Sequence, residues 1–82
     1  MSLKKYKIYY YKSEDGSVFA RVDYNQLNYQ MITKDGIDYR LLGSASDRVE
    51  PRLLRMGLNK TTEKAYQNFL SKNNLTNKYH GN

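Results

Sequence analysis

The chain has 82 residues, an apolar fraction of 39% of which nine tyrosines form a large part, no cysteine and a formal net charge of +6. That length fits one domain whose folding buries only about 60–65% of the unfolded surface, and without cysteine neither disulfides nor thiolate zinc sites can support it, so an apolar core must. No run approaches the ~20 apolar residues of a membrane span, and the opening MSLKKYKIYY lacks the apolar stretch of a secretory signal, which leads to the expectation of a soluble cytoplasmic protein.

The first element is KYKIYYYK at residues 5–12, a strand with aromatic residues at both odd and even positions. It runs into SEDGS at 13–17, and a second Asp-Gly turn, TKDGI, follows at 33–37. Asp-Gly between alternating segments is a strong hairpin signal. Three-residue loops give the most consistent faces, because a one-residue slip moves every side chain to the other side of the sheet. In the first hairpin a Glu14-Asp15-Gly16 loop pairs Tyr10 with Ala20, Ile8 with Val22 and Tyr6 with Tyr24 as a core face. The opposite face then carries Tyr11–Phe19, Tyr9–Arg21 and Lys7–Asp23, each a favourable cross-strand pair. In the second hairpin a Lys34-Asp35-Gly36 loop pairs Met31 with Tyr39 and Tyr29 with Leu41. Between the hairpins the chain turns at Asn25-Gln26, since asparagine favours turns. Four consecutive antiparallel strands form a meander.

After Leu42, GSASDR at 43–48 reads as a linker. Val49, Leu53 and Met56 make a helical stripe, Pro51 suits a first turn and Gly57 ends the helix. The spacing predicts a short helix from Pro51 to Met56, with Asp47 as an earlier alternative start. Thr62, Ala65, Tyr66, Phe69 and Leu70 predict a longer helix, capped by Asn59 or Thr61 and terminated at Asn73-Asn74. The fold expected is α+β: a four-stranded antiparallel β-meander followed by a short helix and a longer C-terminal helix, both packed on one sheet face. Residues 1–74 form the single domain and 75–82 a flexible C-terminal tail. The expected core is Tyr6, Ile8, Tyr10, Ala20, Val22, Tyr24, Tyr29, Met31, Tyr39, Leu41, Leu53, Ala65, Phe69 and Leu70.

Catalytic chemistry finds few footholds. The single histidine, His80, stands in the expected tail, where nothing holds it for acid–base work. Ser44 and Ser46 lie in the linker, without a nucleophile elbow around them. The carboxylates Glu14 and Asp15, Asp35 and Asp38, and Asp47 and Glu50 fall at turns or a helix start, in no metal-ligand spacing. The glycines are scattered as turn and cap residues and form no phosphate loop. The expectation is therefore a protein that is not an enzyme and takes no cofactor and no metal.

The charge leans toward the second half: residues 1–43 hold seven Lys/Arg against five Asp/Glu, and residues 44–82 seven against three. Positive charge favours polyanions. With the helices on one side, the free sheet face would display Lys5, Lys7, Tyr9, Tyr11, Phe19, Arg21, Asn28, Gln30 and Arg40, rings for stacking on bases and cations for phosphate. Arg48, Arg52 and Arg55 fall at i, i+4 and i+7, a ridge of guanidinium forks suited to phosphate or carboxylate. The same face suits a protein partner, since tyrosine and arginine are favoured in interfaces, or serves only to keep the surface wet.

In size and Lys/Asn/Tyr-rich composition the chain resembles the small proteins of phages and mobile elements, a group that includes anti-CRISPR inhibitors with small β-plus-α folds. Two functions are thus expected in competition: a nucleic-acid-binding protein acting on DNA or RNA, or an inhibitor that binds a host protein complex through the same face. Neither involves a membrane.

Overall fold

A computed structural model describes residues 8–44 and 48–75 of the chain. The elements run β1 (Ile8–Ser13), β2 (Val18–Asp23), β3 (Asn28–Thr33), β4 (Gly36–Leu41), α1 (Glu50–Arg55), β5 (Leu58–Thr61) and α2 (Glu63–Lys72). They build an α+β fold on one antiparallel sheet of five strands, ordered β4-β3-β2-β1-β5. The first four strands form the expected meander. The fifth, an addition to the four expected, returns beside β1, pairing Tyr11 with Lys60 and Ser13 with Leu58.

Both hairpins differ from the expected register by one residue. β1 meets β2 with Tyr11 opposite Ala20 and Tyr10 opposite Arg21, which leaves Glu14 to Ser17 as a four-residue loop. Side-chain hydrogen bonds extend the loop. Asp15 Oδ1 accepts from Ser13 Oγ at 2.8 Å, Ser17 N at 3.0 Å and Ser17 Oγ at 2.7 Å, and Ser13 Oγ accepts from Val18 N at 3.0 Å. Gly16 sits at φ 77°, a conformation that a side chain would strain. β3 meets β4 with Ile32 opposite Ile37 and Met31 opposite Asp38, so the loop is Lys34-Asp35 alone. The middle turn is close to the one expected: Asp23 Oδ1 accepts from Asn25 N and Gln26 N at 2.8 and 3.1 Å.

The slip changes the layering. The helices lie on opposite faces of the sheet, not on one. On one face Val49, Leu53 of α1 and Leu58 pack with Tyr11, Ala20 and Val22, flanked by Tyr9, Tyr24, Tyr29 and Met31. On the other, Tyr66 and Leu70 of α2 pack with Phe19 and Ile32, flanked by Tyr10, Ile37, Ala65 and Phe69. Leu41, expected in the core, is 73% exposed on the outermost strand.

The helix signals served well. Pro51 occupies the first turn of α1. Thr62, one residue beyond the predicted cap, accepts the Ala65 N–H at 3.1 Å. Asn73 caps the C-terminus and Asn74 turns to φ 57°. Leu75, assigned to the tail, is held instead: its N–H donates to Leu70 O at 2.9 Å and its side chain joins the α2 cluster. Tyr6 of the expected core, the alternative helix start Asp47, Ser46, His80 and the tail beyond Leu75 lie outside the described residues.

Candidate functional site

The expected ring platform is not on the surface. Tyr11, Phe19 and Arg21 are 2%, 4% and 3% exposed, and the register puts Tyr9 and Tyr11 on the α1 face but Phe19 and Arg21 on the α2 face. A base cannot stack on a ring that is already covered. Arg21 Nη1 stands 3.4 Å from Asp23 Oδ2 in a buried ion pair that lacks hydrogen-bond geometry. Lys5 and Lys7 lie outside the described residues.

Tyr9 is half-buried in a polar and aromatic corner. Its ring meets Tyr24 edge-on, with centroids 6.1 Å apart, and Lys60 Nζ stands 4.8 Å from its centroid. Lys60 also approaches Glu50 Oε2 at 4.0 Å. Burial, and after it the hydrogen-bonded Glu50 carboxylate, push the Tyr11 hydroxyl well above its ordinary value of 10.0. Burial and Glu50 shift Tyr24 the same way. Tyr11, Tyr24 and Lys60 thus converge on Glu50 at the start of α1.

The arginines do gather. Tyr29 sits on β3 with Arg40 as its cross-strand neighbour on the α1 face. Arg52 reaches down from α1, and its Nη1 donates to the Tyr29 hydroxyl oxygen at 3.1 Å. Arg48 stands just before the helix, so the predicted ridge of three is a helical pair, Arg52 and Arg55, preceded by Arg48 outside the helix. A polar cavity of about 280 Å³ opens between this end of the sheet and α1, lined by Tyr29, Leu41, Leu42, Arg48, Val49 and Arg52. Arg40 is occupied: its Nε and Nη2 both donate to Asp38 Oδ2, at 3.1 and 2.9 Å, an arrangement that raises its already high pKa. Among the described residues neither Arg48 nor Arg52 forms a salt bridge with a carboxylate. Two guanidinium groups on one cavity, one of them aimed by a phenol, form a natural seat for an oxyanion.

Its parity in the sequence places Tyr29 in the expected core, with nothing to mark it as a site residue. Its role emerges only when α1 folds onto the sheet and brings Arg52 to it, and no local signal marks that contact. Among the described residues no group of three or more His, Cys, Asp or Glu side chains is placed to hold a metal, and no helix is long and apolar enough to cross a membrane. No family model, no curated protein and no solved structure matches the chain.

Proposed function

We propose that this chain is a small non-enzymatic protein that binds the phosphate backbone of nucleic acid through Arg48 and Arg52 at the Tyr29 cavity, with Arg55 extending the contact along α1. The observation that carries the reading is the Arg52 Nη1–Tyr29 hydroxyl bond at 3.1 Å on the rim of a polar cavity that Arg48 also lines. A fixed guanidinium loses less freedom when it binds phosphate than a mobile one. The net charge of +6 adds long-range attraction. Base stacking, the other half of the sequence-based expectation, has no role here, because two of the rings meant for it are inside. Recognition is therefore of backbone, indifferent to sequence.

The test is a salt titration with a labelled single-stranded and a labelled duplex oligonucleotide. Log affinity should fall linearly with log salt, with a slope of about −0.7 to −0.9 per phosphate contacted. Absence of binding to both probes at low salt removes the proposal.

A second reading, an inhibitor that docks on a host protein complex, draws on the exposed Leu54 of α1 and Met56 just after it, beside the same arginines. Methionine and arginine are enriched in interfaces. A stable complex that survives nuclease and is lost in Leu54→Asp would favour it over the first.

A further inference from the structure

β4 is the outer strand of the sheet and, among the described strands, pairs with β3 alone. Its sequence from residue 37 is Ile37-Asp38-Tyr39-Arg40-Leu41. Read from either end it runs apolar, charged, ring, charged, apolar, with the two charges opposite in sign. A strand of this kind is complementary to itself when turned around on Tyr39.

The backbone phase agrees. The Leu42 N–H donates to Leu27 O at 2.8 Å, which marks the Asn28–Leu41 pair between them as one that exchanges no bonds of its own. The alternation then makes Arg40 and Asp38 the residues that bond to β3, while Ile37 and Leu41 turn their N–H and C=O groups outward. In a two-fold pairing centred on Tyr39, Ile37 meets Leu41 of the second copy and exchanges two backbone bonds with it, as does Leu41 with Ile37. Asp38 then stands opposite Arg40 of the second copy, in the closer, non-hydrogen-bonded kind of pair where side chains interact most strongly.

Neighbouring registers fail on chemistry. Centring on Asp38 sets two carboxylates opposite each other, and centring on Arg40 sets two guanidinium groups together, both destabilising. A one-residue offset would face outward groups with inward ones and form no ladder. Asp38 and Arg40 already pair within the strand at 2.9 Å, each more than half exposed, so a second copy would complete an alternating ring of four charges. Leu41, 73% exposed in the single chain, would find Ile37 across the junction. The strand holds neither proline nor lysine, two of the residues that keep an edge from pairing.

The geometry points to self-association: two copies of this chain join antiparallel through β4, with the two-fold axis at Tyr39, into one continuous ten-stranded sheet. Arg48 and Arg52, which carry the phosphate reading, take no part in it, although Leu41 lines the cavity as well as the junction.

Sedimentation velocity on the full chain, from micromolar to millimolar concentration, reads the mass directly. The wild type should approach twice the chain mass. Asp38→Arg and Arg40→Asp should each weaken the dimer by about tenfold or more, because each creates two like-charge pairs by symmetry. The double reversal Asp38→Arg/Arg40→Asp restores both pairs and should recover the dimer to near wild-type strength. Circular dichroism checks that every variant is folded, and Leu41→Lys, at an exposed position, stands in for any charge variant that is not. A wild type that stays monomeric at millimolar concentration overturns the proposal. So does a dimer indifferent to the single variants, or a folded double reversal that remains as weak as they are.

Discussion

The rings of Tyr10 and Tyr66 lie 4.9 Å apart between centroids, tilted by 45°, and join β1 to α2. Tyr10 thus packs under α2 on the sheet face opposite the one that carries Tyr9 and Tyr11 under α1. Three successive tyrosines are split between two cores, and the strand needs all of them because a helix covers each side.

Tyr66 has no exposed surface, so Tyr66→Ala should cost about 3–5 kcal/mol. In a domain whose total stability is of order 5–15 kcal/mol, that is enough to unfold much of the population. Urea denaturation should show a large loss for Tyr66→Ala and a similar loss for Phe19→Ala, whose ring stacks 4.6 Å from Phe69. Had Phe19 been a surface stacking residue, its truncation would be nearly silent.

Alkaline pH should unfold the protein early. The Tyr11 hydroxyl titrates above its ordinary value of 10.0 in the folded chain, so the unfolded chain ionises first. The stabilisation is complete below pH 10 and is lost as pH rises past it toward the folded value. Tyr24 acts in the same direction. Midpoint denaturant concentration measured between pH 8 and pH 11.5 should fall beyond about pH 10, with a limiting slope near 1.4 kcal/mol per pH unit for each such group. Tyr11→Phe should flatten this fall.

The two classes of predicted site residue should separate in binding. Arg52→Ala should lower affinity for an oligonucleotide and reduce the salt slope by about one, with little change in stability. Arg52→Lys keeps the charge but loses the fork, and should bind more weakly than wild type. Tyr29→Phe frees Arg52 from its anchor and should cost affinity without altering the salt slope. Tyr11→Ala should lower stability and leave the affinity of the folded fraction unchanged.

Asn28 is buried at 1% exposure, and among the described residues neither its Oδ1 nor its Nδ2 has a hydrogen-bond partner. It lies on a strand, opposite Asp23, in a position that sequence alone presents as solvent-facing. A buried unsatisfied amide costs roughly 1–3 kcal/mol. Asn28→Val, with a β-branched residue suited to a strand, should be neutral or stabilising in thermal melts. Clear destabilisation would mean that the amide has a partner in solution.

Much of the architecture can be read from the sequence because its causes are local. Asp-Gly turns announce two hairpins, Pro51 and Gly57 bracket a short helix, and Thr62 to Asn73 carry the spacing and caps of a longer one. What the chain cannot announce is parity. Alternation fixes a register only when one sheet face is dry and the other wet. Here α1 covers one face and α2 the other, so Tyr9 and Tyr11 compete on equal terms with Tyr10 and Phe19, and a slip of one residue leaves the pattern almost as good. Side-chain bonds from Asp15 and Ser13 help set the loop length, and they are invisible to hydropathy. β5 has one buried residue, Leu58, among its four, and exists because β1 offers it a ladder distant in sequence. The Arg52–Tyr29 contact is likewise a product of packing: composition supplies the charge, but only the docking of α1 onto β3 brings that charge to a cavity.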